Sequence, residues 1–129
     1  MTEQPVLCEI DGRGVATVTL NRPEVNNAYN GEMIDALLDG MKALAVNDDV
    51  RLIVLRGAGK HFQAGADLGW LLSVSGGSPE ENLEVSRRTG AAVHLLDVCP
   101  KPTMAVVQGF CVGGGTGVIA APVTFENQC

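Results

Sequence analysis

Residues 109–120, Gly-Phe-Cys-Val-Gly-Gly-Gly-Thr-Gly-Val-Ile-Ala, constrain this chain most, and they are reached through the apolar run Thr-Met-Ala-Val-Val at 103–107. The run reads as a buried strand, and the small and branched residues after the glycines as the start of a helix. Strand, glycines and helix in that order make an anion site. Three consecutive glycines remove every Cβ, so a ligand reaches the backbone N–H groups directly, and the helix dipole adds partial positive charge. The residues leave open whether the anion is a phosphate or a charge that arises only during a reaction. They also allow the glycines merely to let a helix pack tightly on a strand.

Two sharper motifs can be tested. Gly109 and Gly114 have the spacing of the phosphate loop, but Gly115 stands where that motif needs lysine, so the reading fails. Gly115, Gly117 and Ala120 fit the dinucleotide fingerprint, which also wants an acidic residue about twenty positions on. The sequence stops before that position, and dinucleotide binding stays as a lesser alternative.

A chain of 129 residues is expected to be one domain, and 46% hydrophobic content with 4% aromatics suits an aliphatic α/β core. The net charge of −6 repels nucleic acid and anionic membranes, so neither is an expected partner. No apolar run reaches the roughly 18 residues of a membrane span, and Met-Thr-Glu-Gln-Pro does not resemble a signal peptide, which points to the cytoplasm. Cys8, Cys99, Cys111 and Cys129 lack a Cys-x-x-Cys pair and read as buried free thiols. His61 and His94 have no companions at ligand spacing, and no metal is expected.

Two β-rich runs, residues 6–10 and 15–20, flank Asp11-Gly12-Arg13-Gly14 and predict a hairpin. Asn30 caps a predicted helix in which Met33, Ile34, Leu37, Leu38, Met41, Leu44 and Ala45 recur on one face. Residues 51–56 form a continuous apolar run, the mark of a strand covered on both faces in a parallel sheet. Asp67 is placed to cap a short helix through Leu72, followed by a glycine- and serine-rich loop at 73–78. Ser78, Pro79 and Glu81 supply a cap, a proline at the first helical position and a capping-box glutamate for a helix to about Val98. Its apolar stripe is Val85, Thr89, Ala92, Val93 and Leu96.

Three blocks together carry a family resemblance: Leu-Asn-Arg-Pro-Glu-Val-Asn-Asn-Ala at 20–28, Phe-Gln-Ala-Gly-Ala-Asp-Leu at 62–68 and Gly-Phe-Cys-Val-Gly-Gly-Gly at 109–115. In this order and separation they resemble the crotonase family, the enoyl-CoA hydratases and isomerases, over residues 6–121. Asn-Asn-Ala-Tyr-Asn and Ala-Asp-Leu-Gly-Trp look most similar to the branched glutaconyl-CoA hydratases. The resemblance implies an α/β fold, a spiral of ββα units, and a CoA thioester whose carbonyl oxygen is held by two backbone N–H groups. By motif position these belong to Ala66 and Gly114. Adding water to a double bond conjugated with a thioester develops an enolate on that oxygen, and losing one fixed donor typically costs about 2.7–4 kcal/mol of barrier.

The family's CoA contacts correspond to the backbone of Glu24, Val25 and Asn26, and its adenine site to the loop near Ala64. Lys60 stands where a basic residue meets the phosphates, though a solvated surface lysine explains it equally. No cofactor is implied beyond the coenzyme A of the substrate. Asp67 reads as a helix cap rather than a general base, since capping gives its side chain a task. Trimers or hexamers are common in the family.

The chain also departs from the pattern. Gly117 stands where the first family glutamate falls, and a second would lie beyond Cys129. That weakens hydration without removing enolate chemistry, and keeps an isomerase or another enolate-forming crotonase as an alternative. Where the family continues Ala-Cys-Asp and an apolar strand, residues 121–129 read Ala-Pro-Val-Thr-Phe-Glu-Asn-Gln-Cys. The expectation is a single partial domain, truncated soon after the glycines, with 122–129 an atypical ending without the family's next strands. A non-catalytic fragment that binds CoA or joins intact subunits is the alternative from another functional class.

Overall fold

The computed structural model describes residues 4–111 and the backbone of 124–128. Gly113, Gly114, Gly115, Gly117 and the helix expected after them lie outside the described residues.

The two β-rich runs fold back on one another as β1 (Val6–Ile10) and β2 (Val15–Leu20), antiparallel, with Val6 opposite Leu20 and Ile10 opposite Ala16. Asp11 makes the turn: its Oδ1 accepts from the backbone N–H groups of Arg13 at 2.8 Å and Val15 at 3.1 Å. A 3-10 turn, Pro23–Val25, then leads to α1 (Gly31–Ala45), where the Asn30 carboxamide oxygen caps the helix by accepting from the Met33 N–H at 2.9 Å. The expected face is the buried one: Met33, Ile34, Leu37, Leu38, Met41 and Leu44.

Strand β3 (Leu52–Gly57) lies parallel to β2, and after α2 (Leu68–Ser75) and α3 (Pro79–Val98) the chain returns as β4 (Thr103–Gln108), parallel to β3. Helix α3 starts with the complete capping box, Ser78 Oγ accepting from the Glu81 N–H and the Glu81 carboxylate accepting from the Ser78 N–H. The sheet runs β1-β2-β3-β4, and a fifth strand, β5 (Thr124–Gln128), continues it beyond β4. Ala16, Val18, Leu20, Ile53, Leu55, Ala105 and Val107 point to one face and pack against α1 and the Ala92–Leu96 side of α3.

Four expectations are corrected. Strand β3 alternates rather than being covered on both faces: Ile53 and Leu55 are fully buried, but Arg56 on the other face is exposed. Helix α2 continues past Leu72 to Ser75, because Ser73 and Ser75 donate their hydroxyls to the carbonyls of Trp70 and Leu72, satisfying themselves within the helix. The ending does not lack a strand. Thr124–Gln128 forms β5, parallel to β4 with Thr124 opposite Met104 and Gln128 opposite Gln108; Thr-Phe favours extended backbone, and Pro122 stands ahead of the ladder. The described cysteines are free but not buried: Cys8 is exposed because β1 is an edge strand, and Cys99 and Cys111 are half-buried. Cys129 lies outside the described residues.

Candidate functional site

The site is framed by a turn that the chain makes just after β2. Asn26 and Asn27 adopt left-handed backbone, φ 54° and 61°, which asparagine tolerates better than other residues with a Cβ. This buries the Asn27 side chain completely and uses all of it. Its Oδ1 accepts from the Arg22 N–H at 2.8 Å, and its Nδ2 donates to the carbonyls of Ala58 at 2.8 Å and His61 at 2.9 Å. Its own carbonyl accepts from Gln63 Nε2 at 2.8 Å. Arg22 extends the frame, donating to the Ala28 carbonyl at 2.6 Å and pairing with Asp67 at 3.1 Å. The turn thereby grips both ends of the loop between β3 and α2.

Ala66 lies in that loop beside Tyr29. The Tyr29 N–H donates to the Gly65 carbonyl at 2.9 Å, and the Tyr29 carbonyl accepts from the Asp67 N–H at 2.8 Å. In such a parallel bridge the central residue turns its own N–H and C=O to the opposite side. Among the described residues the Ala66 N–H accordingly donates to no partner. Gly65, at φ +84°, makes the preceding bend.

The glycine-rich loop enters alongside. The Phe62 N–H donates to the Gln108 carbonyl at 2.8 Å and the Gln63 N–H to that of Phe110 at 3.3 Å, with Gln63 and Cys111 forming a second parallel bridge. The loop expected to carry Gly114 therefore starts next to the loop that carries Ala66, while Gly114 itself lies outside the described residues.

The other expected residues fall on one edge. Glu24, Val25 and Asn26 are exposed on the 3-10 turn, and Lys60 is exposed on the facing loop. Turn and loop touch: a Cβ on Gly59 would stand 2.9 Å from Pro23 Cβ. Ala64 is half-buried between the two parallel bridges.

Asp67 has the structural role expected of it. Oδ1 accepts from the Trp70 N–H at 3.1 Å and Oδ2 pairs with Arg22; these contacts hold its carboxyl below the usual carboxylate range. A carboxylate so engaged is a poor proton acceptor. Burial pushes the Cys111 thiol up, so it stays protonated at neutral pH and is no ready nucleophile. Among the described residues no group of three metal-ligating side chains forms, and no helix is long and apolar enough to cross a membrane.

Beneath the loop an apolar pocket of about 100 Å³ lies between α1 and α3, lined among others by Tyr29, Met33, Leu37, Gln63, Ala92 and Val93. Gln63 Oε1 is buried there without a partner among the described residues. Arg22, Asn27 and Gln63 were not singled out from the sequence. The available signal was the Asn-Asn pair after Arg-Pro, two residues suited to left-handed backbone in succession.

Residues 15–124 match the enoyl-CoA hydratase/isomerase family. The chain is 38% identical over 104 residues to the 1,2-epoxyphenylacetyl-CoA isomerase of Escherichia coli, covering 80% of this chain and 40% of that protein. It is 34% identical over 117 residues to the small ribosomal subunit protein mS47 of Schizosaccharomyces pombe, covering 90% and 27%. A solved enoyl-CoA hydratase from Shewanella pealeana matches with a TM-score of 0.91 at 31% identity, over 95% of this chain and 46% of that one. The chain spans less than half the length of the curated relatives it matches.

Proposed function

The chain belongs to the enoyl-CoA hydratase/isomerase family and has its crotonase-type α/β fold, and from that premise we propose that it binds an α,β-unsaturated acyl-CoA as an enoyl-CoA hydratase-like enzyme. The thioester carbonyl oxygen accepts hydrogen bonds from the Ala66 and Gly114 N–H groups. The observation that carries this is the Ala66 N–H, turned away from Tyr29 and unused among the described residues. When a nucleophile adds at the far carbon of the conjugated double bond, the electron pair moves toward the carbonyl oxygen. Donors already aimed there stabilise the enolate with no reorganisation.

The CoA portion lies along the edge where the turn at Glu24, Val25 and Asn26 meets the loop bearing Lys60 and Ala64. Their adjacency supports this, since one extended ligand can touch both segments. Lys60 supplies a cation for the phosphates, and the coenzyme enters only as part of the substrate.

Enoyl-CoA isomerisation is the second reading. It is favoured by Gly117, which offers no carboxylate, and by the engagement of Asp67 with Arg22 and the Trp70 N–H. Hydration passes through the enolate of a hydroxylated thioester and isomerisation through a conjugated dienolate, but both place negative charge on the thioester oxygen, so the donors serve either. Titration with a short unsaturated acyl-CoA, followed by product analysis with wild type and Gly114→Pro, tests the proposal. Hydration or double-bond migration that the substitution abolishes supports it and separates the two reactions. Turnover unchanged by Gly114→Pro overturns the donor assignment, and no binding of acyl-CoA overturns the function.

A further inference from the structure

We propose that His61 is a positioning residue, which sets the angle at which the glycine-rich loop leaves β4 and thereby the separation of the two backbone donors. The link to the donors rests on the reading of Ala66 and Gly114 above. The hold of His61 on the loop rests on geometry alone.

His61 grips one residue twice. Its Nδ1 accepts from the Phe110 N–H at 3.1 Å, and its ring lies flat on the Phe110 ring, with centroids 3.5 Å apart and planes 8° from parallel. An imidazole accepts at Nδ1 only when that nitrogen carries no proton, so the neutral ring bears its proton on Nε2. Backbone and side chain of Phe110 are thus fixed by a single planar group.

The bend itself is built around that ring. Gly109, at φ +61°, lies directly against it, and a Cβ there would overlap both His61 Nδ1 and the Lys60 carbonyl. The support beneath the ring is rigid, since the His61 carbonyl accepts from the fully buried Asn27 side chain. His61 stands five residues before Ala66, and Phe110 four before Gly114. The ring therefore bridges the two donor-bearing segments near their starts. A displacement of about 1 Å in such a constellation can cost on the order of 100-fold in rate, so a tie of this kind matters to turnover without touching substrate.

Three variants separate the ring from its acceptor. His61→Phe keeps the stack and loses the acceptor. His61→Asn places Oδ1 near the position of Nδ1 and loses the ring. His61→Gln places its amide near the Nε2 position, and serves as the loss variant if the phenylalanine chain does not fold. The readouts are amide hydrogen exchange at Phe110, and kcat and KM with a short unsaturated acyl-CoA. The expected result is about tenfold faster exchange at Phe110 and about tenfold lower kcat in His61→Phe or His61→Gln, with KM within about twofold. In His61→Asn, which restores the acceptor without the stack, exchange and kcat recover a large part of the loss. Unchanged Phe110 exchange in the loss variants, or His61→Asn as impaired as they are, overturns the inference. A wild-type chain that turns over no acyl-CoA removes the proposed function, while Phe110 exchange still decides whether His61 holds the loop.

Discussion

Tyr29 and Ala66 face each other across a parallel bridge in which Tyr29 makes both hydrogen bonds, to Gly65 and to Asp67, and Ala66 makes neither. The fold thus uses the neighbours of Ala66 to hold it and leaves its N–H for something else. Position and donor are separated, so the residue can be held firmly without its donor being consumed.

The frame depends on Asn27. Asn27→Ala leaves the carbonyls of Ala58 and His61 and the N–H of Arg22 without this partner and puts alanine at φ 61°. A loss of about 2–4 kcal/mol is expected in urea unfolding. Asn27→Gly relieves only the backbone strain and should recover a minor part. Equal stability of all three chains would contradict the role assigned to this side chain.

Asp67 makes stability depend on acid. Its folded-state carboxyl titrates below its unfolded value because of the Trp70 N–H first and Arg22 next. The contribution is therefore fully present above the unfolded value of about 3.9 and is lost as pH falls through the folded value. Asp67→Asn should be less stable than wild type at pH 6, and the difference should shrink as the pH drops below about 4. A difference that stays constant from pH 6 to pH 3 in thermal unfolding would show that the ionised carboxylate adds nothing.

Two glycines should respond oppositely to the same change. Gly109→Ala places a Cβ against Lys60 and His61 at φ +61° and should destabilise by at least about 2 kcal/mol. Gly90, on the exposed side of α3, has nothing within 4 Å of an added Cβ. Gly90→Ala should stabilise by up to about 1 kcal/mol through helix propensity. A Gly109→Ala chain that melts no lower than wild type would contradict the account of the loop bend, and a Gly90→Ala chain that melts lower would contradict the helix-propensity argument.

The parts legible in the sequence are those with local causes. Asn30 caps α1, and Ser78, Pro79 and Glu81 open α3, because each acts on backbone groups within three or four residues. The hairpin follows from Asp11 and its turn in the same way. The family motifs pointed to Ala66 and to the segments carrying Asn26 and Lys60, and the structure sets those two segments side by side at Pro23 and Gly59. What escaped depends on partners far along the chain: Arg22 reaches Asp67, Asn27 reaches His61, and His61 reaches Phe110. No window of neighbouring residues contains both members of these pairs. Strand β3 misled for a related reason, since an apolar run reports what a strand tolerates and not how many layers cover it. Strand β5 forms through backbone pairing with β4, which leaves little trace in side-chain pattern.

The central claim is that a thioester carbonyl oxygen is held by backbone donors, and the vibrational spectrum of that carbonyl in the bound ligand tests it most directly. Isotope-edited Raman difference spectra of a short unsaturated acyl-CoA, labelled with carbon-13 at the thioester carbonyl, should show its stretch shifted to lower frequency on binding. Ala66→Pro, which removes the N–H and leaves the Gly65 carbonyl and Asp67 N–H that Tyr29 uses, should reverse much of the shift while the ligand stays bound. A bound carbonyl vibrating at its frequency in water, or a shift unaffected by Ala66→Pro, would contradict the account.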